Sequence, residues 1–197
     1  MGYFERLWSE LPDALPEGFQ ARRDFLLGAL EAPARVLDAG CGAGHFAAAL
    51  ERAGFAVTGV DVAAEALRRA RERCPAARFE LVRDGEPWPL AERSFDAAWV
   101  GETLEHVQDG IGLLEQVARA LAPGGLLVAT TPAHGPALRL ALGLSRAAFE
   151  RHFDPRSDHV RFFTASTLRE LLERSGFASV SIRARGGTLY VTARAAR

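Results

Sequence analysis

The sequence predicts an α/β fold built on a doubly wound, seven-stranded, mostly parallel sheet, and three observations support this. Apolar runs of strand length alternate with longer helical patterns through most of the 197 residues. One run ends in a glycine-rich turn, Asp38-Ala-Gly-Cys-Gly-Ala-Gly44, that opens directly into an alanine-rich helix. The last two runs are separated by Gly186-Gly187, so the chain closes in a hairpin that adds a final antiparallel strand.

Taken in order, residues 3–30 carry helical spacing (Tyr3, Phe4, Leu7, Trp8, Leu11, then Phe25, Leu26, Leu27, Leu30) interrupted at Pro12 and Pro16. Strands are expected at 34–38 and 55–60, with a helix over 45–53 that stops at Gly54. A second helix over 63–73 precedes Pro75, and a third strand covers 78–82. A loop with Pro87 and Pro89 leads to a strand at 95–100. A helix over 110–121 then ends at Pro123-Gly124-Gly125. Leu126–Thr130 is the fifth strand, and a short helix is expected near 136–150. Thr164 begins the last helix, Gly176 follows it, and strands at 177–183 and 188–193 finish the sheet. The organisation expected is a helical cap (1–30) before one domain (31–197), with an insertion over 132–163.

Composition narrows the partners. The formal net charge is −1, so no global field draws the chain to nucleic acid. All 24 basic residues are arginines, which removes lysine-based Schiff-base or general-base chemistry. Residues 146–197 carry 10 Arg against 5 acids. That excess suits an anionic ligand and equally a solvated face. Two cysteines, Cys41 and Cys74, make no disulfide framework. His134, His152 and His159 are spaced by 18 and 7, which matches no compact metal-binding pattern, so no metal is expected. Residues 120–138 are uncharged, yet Pro123, Pro132 and Pro136 break them too often for a membrane span. With no apolar signal core near the N-terminus, the expected location is the cytoplasm, as a monomer or homodimer.

An acid stands at the end of each of the first four strands or within two residues of it, Asp38, Asp61, Asp84 and Glu102. Parallel sheets bind ligands at the carboxyl ends of their strands. Four carboxylates gathered there repel unless a cation with hydroxyl and amine donors compensates. The glycines Gly40, Gly42 and Gly44 let the backbone turn tightly and let a ligand approach without a Cβ in the way. Their G-x-G-x-G spacing differs from the G-x-G-x-x-G of dinucleotide sites, which disfavours a nicotinamide enzyme.

These motifs, with Val57-Thr-Gly-Val-Asp61, Ser94-Phe-Asp-Ala-Ala-Trp-Val100, Glu102-Thr-Leu-Glu-His-Val107, Arg119-Ala-Leu-Ala-Pro-Gly-Gly-Leu126 and Gly176-Phe177, resemble class I S-adenosylmethionine-dependent methyltransferases. The resemblance runs from about residue 34 to 193. It is greatest to the branch holding the ubiquinone-pathway O-methyltransferases and related small-molecule enzymes. It implies the Rossmann-like methyltransferase fold, S-adenosyl-L-methionine as cofactor and a small-molecule acceptor methylated at oxygen. It also implies roles. Asp38 and the loop of Gly40, Cys41, Gly42 and Gly44 would hold the methionine end, and Asp61 the ribose hydroxyls, with Val62 against the adenine. Asp84 and Gly85 would meet the adenine amine and ring edge. Glu102 and Thr103 would line the passage to the methyl.

A hydroxyl acceptor needs a base, and His106, just beyond the fourth strand, is the candidate. The alternative is that Glu105-His106 starts the next helix and only shapes the pocket. The insertion 132–163 is the expected acceptor-binding segment. The aromatic N-terminal helices would either close over the site as a lid or pack against the sheet edge. A non-catalytic domain that binds the same cofactor is the competing functional class.

Overall fold

Val36, Trp99 and Val128 pack into one apolar core while their neighbours Leu37, Val100 and Leu127 pack into another. Alternate side chains of a strand point to opposite faces, so strands apolar at every position must be covered on both sides. The computed structural model, which describes residues 2–32, 34–155 and 157–196, has that layered arrangement.

Two helices come first, α1 (Tyr3–Glu10) and α2 (Phe19–Ala29). Then β1 (Arg35–Ala39), α3 (His45–Arg52), β2 (Ala56–Asp61), α4 (Ala64–Arg73) and β3 (Arg78–Leu81) follow in alternation. The second half is β4 (Phe95–Gly101), α5 (Gly110–Ala120), β5 (Leu121–Pro132), α6 (Pro136–Leu144), α7 (Arg146–His152), α8 (Ala165–Arg174), β6 (Phe177–Arg185) and β7 (Thr188–Ala195). The sheet order is β3-β2-β1-β4-β5-β7-β6. It is parallel from β3 to β5, and β7 lies antiparallel between β5 and β6. The predicted seven-stranded, mostly parallel sheet is therefore present. Between β1 and β4 the order reverses, and this is the crevice where such sheets bind ligands.

Local chemistry explains most boundaries. Arg185 pairs with Thr188 across Gly186 and Gly187, whose φ angles of 57° and 80° suit a two-residue hairpin turn. The Thr164 hydroxyl accepts from the Thr167 amide and the Thr167 hydroxyl accepts from the Thr164 amide, a reciprocal cap that starts α8.

Two expectations need correcting. The helix expected over 136–150 is two helices, because Ser145 is extended (φ −128°, ψ 110°) and its hydroxyl accepts from the Ala148 amide to begin α7. The fifth strand is longer than 126–130. It starts at Leu121 and carries Pro123-Gly124-Gly125 through as an irregularity in its pairing with β4. Among the described residues no helix is long and apolar enough to cross a membrane.

Candidate active site

The first two motifs are tied together by backbone. The amides of Gly40 and Cys41 both donate to the Val60 carbonyl, at 2.9 and 3.0 Å. The Gly42 amide donates to Asp61 Oδ2 at 2.9 Å, and the Ala63 amide to Oδ1 at 3.0 Å. So the turn after β1 hangs on the end of β2, and the Asp61 carboxylate is held in one orientation with lone pairs remaining on both oxygens. Burial raises the Asp61 carboxyl above its usual range, while the amides of Ala63, Gly42 and Val62 pull it back down.

Two glycines are required by geometry. At Gly40 (φ 76°) a Cβ would stand 2.5 Å from the Thr103 side chain. At Gly42 (φ 51°) it would stand 2.8 Å from the Trp8 indole. Both positions are left-handed and crowded, so a side chain there is strained twice over.

Asp38, at the end of β1, is 2 % exposed, and its Oδ2 has no hydrogen-bond partner among the described residues. Burial first, and then the Asp61 charge, push its carboxyl up to about 7, against a hydrogen bond from the Ala47 backbone. A buried acid so placed is set to meet a donor. Glu102, after β4, takes a φ of 50°, uncommon for a residue with a Cβ. Its Oε1 is also without a partner, and its Oε2 lies 3.8 Å from an Arg22 nitrogen of α2.

These elements enclose a cavity of about 660 Å³. Of the residues singled out in the sequence, Gly40, Gly42, Asp61, Val62, Asp84, Gly85, Glu102, Thr103 and His106 line it together. Three do not. Asp38 is buried and does not reach the lining, Gly44 caps α3, and Cys41 turns its side chain into a core. Burial, and after it the charges of Asp38 and Asp61, raise the Cys41 thiol well above its usual range and keep it protonated.

Of the two arrangements expected for the N-terminal helices, α1 is found along the cavity. Phe4, Leu7, Trp8 and Leu11 of α1 and its C-terminal end form one wall. Glu5 accepts from the amides of Ala64 and Glu65 at 2.7 and 3.2 Å, capping α4, whose own N-cap residue Ala63 makes no side-chain bond. In return Arg69 of α4 donates to the carbonyls of Trp8 and Leu11 at 2.8 and 2.9 Å, capping the end of α1. The amphipathic spacing of α1 was visible in the sequence; its partner, about 60 residues on, was not.

Beside Thr103 stands a group of proton-handling side chains. Glu105 is 1 % exposed, with Oε2 accepting from the Thr131 hydroxyl at 2.9 Å and Oε1 unpartnered among the described residues. Burial and then the Glu102 charge raise its carboxyl to about 8. His106 Nδ1 lies 3.2 Å from the Asp158 carbonyl and 3.3 Å from Asp158 Oδ2. The His106 and His159 rings meet edge to face at 4.8 Å, and burial lowers the His159 pKa. Glu105, His106 and His159 offer donor atoms within 4.8 Å of one another, a set whose separation along the chain hid it from any local motif. The 4.0 Å from Glu105 Oε1 to His106 Nε2 exceeds the roughly 3.3 Å between two ligands of one small ion.

Comparison with known proteins agrees with this architecture. A family model described as "Methyltransferase domain" matches residues 8–182. A malonyl-[acyl-carrier protein] O-methyltransferase of Pseudescherichia vulneris is 38% identical over 114 residues, covering 57% of this chain and 45% of that protein. A ubiquinone biosynthesis O-methyltransferase of Xanthomonas oryzae pv. oryzae is 35% identical over 143 residues, 70% of this chain and 59% of the relative. The chain thus spans about half the length of the curated relatives it matches. Among solved structures, the Haemonchus contortus phosphoethanolamine N-methyltransferase 2 complex with S-adenosyl-L-methionine superposes with a TM-score of 0.73 at 18% identity. That match covers 92% of this chain and 54% of the other. An S-adenosylmethionine-dependent methyltransferase from Mesorhizobium loti gives 0.67 at 23% identity, covering 89% and 96%. On the strength of a model that matches most of its length, the chain belongs to the methyltransferase-domain family.

Proposed function

We propose that this chain transfers a methyl group from S-adenosyl-L-methionine to an oxygen of a small-molecule acceptor, with His106 as general base. The observation that carries the reading is the convergence of the glycine turn, Asp61, Asp84, Glu102, Thr103 and His106 on one cavity. Its volume of about 660 Å³ is in the range of small-molecule and cofactor sites.

The residues present fit the cofactor. Asp61 has lone pairs on both oxygens for two ribose hydroxyls, and Val62 flanks it on the cavity wall. Asp84 and Gly85 stand at the wall where the adenine edge would lie. The unpartnered Asp38 Oδ2 suits the ammonium of the methionine end, directly or through water, and the turn from Gly40 through Cys41 and Gly42 to Gly44, whose glycines carry no Cβ, supplies room. Glu102 and Thr103 line the route from there to His106.

When bound, the cofactor supplies a methyl on a sulfonium, a good leaving group, so the protein's task is alignment and proton removal. His106 takes the acceptor's hydroxyl proton as the oxygen turns nucleophile. Residues 1–30 act as the cap, since α1 lines the cavity, and residues 132–163 serve the acceptor side, since Asp158 reaches the same space. The names of the two curated relatives, both O-methyltransferases, support oxygen as the accepting atom.

The test is a methyl-transfer assay with labelled cofactor against a panel of phenols, sugars and carboxylic acids. An ether or ester product is expected. Product methylated only at nitrogen or carbon rejects the oxygen assignment. Tight cofactor binding with no product from any acceptor favours a binding domain over an enzyme.

A further inference from the structure

We propose that Asp158 is a positioning residue that fixes which nitrogen of His106 accepts the proton, so the base is complete only when residues 158–161 lie along 105–108. This rests on His106 being the base and adds a second residue, from a different part of the chain.

The Asp158 carbonyl oxygen lies 3.2 Å from His106 Nδ1 and can only accept a hydrogen bond. Nδ1 must therefore carry the proton in the neutral ring, and Nε2 holds the lone pair. Asp158 Oδ2, at 3.3 Å, gives the same N–H a second acceptor, and this one is anionic. Nε2 has no hydrogen bond among the described residues; Glu105 Oε1, at 4.0 Å, is beyond reach. The free nitrogen of the base is thus set by a residue 52 positions further along the chain.

The placement of Asp158 is built into the fold. The amides of Val160 and Arg161 both donate to the Glu105 carbonyl, at 2.8 and 3.1 Å. The Arg161 side chain donates to the carbonyls of Val107, at 2.7 Å, and Gln108. The His159 amide donates to the Ser157 hydroxyl at 3.2 Å. Residues 158–161 are therefore stapled along 105–108 on both sides of the histidine. Backbone groups hold most of this register, so the placement of residue 158 does not depend on one exposed contact.

The proton balance is simple. The acceptor's oxygen keeps the O–H electron pair, and the proton passes to the Nε2 lone pair. The ring becomes an imidazolium whose Nδ1–H stays on the Asp158 oxygens, where the carboxylate offsets the new charge. No further reactant is needed.

The test is nitrogen-15 NMR of the full chain labelled at histidine, with the His106 signals identified by their loss in His106→Gln. At about pH 8.5, where imidazoles are mostly neutral, wild-type His106 is expected as the Nδ1–H tautomer. Asp158→Ala, which leaves one acceptor of two, is expected to shift the ratio about five-fold toward Nε2–H. Asp158→Asn, which keeps a neutral acceptor, should fall between, and it carries the comparison alone if the alanine variant does not fold. An Nε2–H ring in the wild type, or an unaltered ratio in a folded variant, overturns the proposal. Full methyl-transfer activity in His106→Gln rejects the base itself and leaves the tautomer result standing, so the two failures are distinct.

Discussion

The Gly42 amide donates to Asp61 Oδ2 at 2.9 Å, so the glycine turn and the acid 19 residues further on form one structural unit. An Asp61 substitution should loosen the turn as well as remove the proposed ribose partner.

Asp61→Ala is expected to weaken S-adenosylmethionine binding by about 2–4 kcal/mol, or roughly 30- to 1000-fold. Isothermal calorimetry on the folded variant measures it directly. Unchanged affinity rejects the assignment.

Asp38 gives a pH prediction whose sign follows from its environment. Its carboxyl is raised from the ordinary value of 3.8 to about 7, so between those values the native state holds a proton that the unfolded chain releases. Its stabilising contribution is complete below pH 3.8 and is lost as pH rises through 7. Asp38→Asn cannot titrate, so the wild-type melting temperature should fall relative to the variant between pH 5 and 8. An ammonium partner favours the ionised acid, so the thermal shift given by S-adenosylmethionine should grow over the same interval. A wild-type-minus-variant difference that stays flat with pH contradicts the burial argument.

Gly40→Ala would place a methyl group 2.5 Å from the Thr103 side chain at a φ of 76°. Strain of this kind costs about 1–3 kcal/mol, read as a lower denaturant midpoint. Cofactor binding should drop with it, because Thr103 lines the same cavity. Wild-type stability and binding together would mean that the turn takes a different shape in solution.

Glu5→Ala removes the cap that α1 supplies to α4. Loss of a helix cap costs about 0.5–2 kcal/mol. Hydrogen exchange at the Ala64 and Glu65 amides should therefore speed up by roughly 2- to 30-fold, with the central strands unaffected. Exchange unchanged at both amides rejects the reciprocal cap.

What the sequence made legible was whatever is local. Val36-Leu37, Ala97–Val100 and Leu127–Ala129 read as buried strands because both faces of the sheet are covered and every position is apolar. The acids at the strand ends were visible by position, and nine of the twelve expected site residues line one cavity. Asp38, Cys41 and Gly44 do not, because a motif gives their order and not the direction in which the Asp38 and Cys41 side chains turn, nor that Gly44 faces Ala70 of α4. Contacts between distant segments were out of reach. Glu5 on Ala64, and Asp158 on His106, join residues more than 50 positions apart. The break at Ser145 was missed because one hydroxyl decides it within an otherwise helical pattern.

If the cavity takes the sulfonium nucleoside as proposed, it must also hold that nucleoside's demethylated product. Calorimetric titration of the purified chain with S-adenosylhomocysteine, which lacks the transferable methyl, is the most direct measurement. One site per chain is expected, with affinity in the micromolar range (about −8 kcal/mol) that collapses in Asp61→Ala. No heat from the folded wild type at millimolar ligand would contradict it.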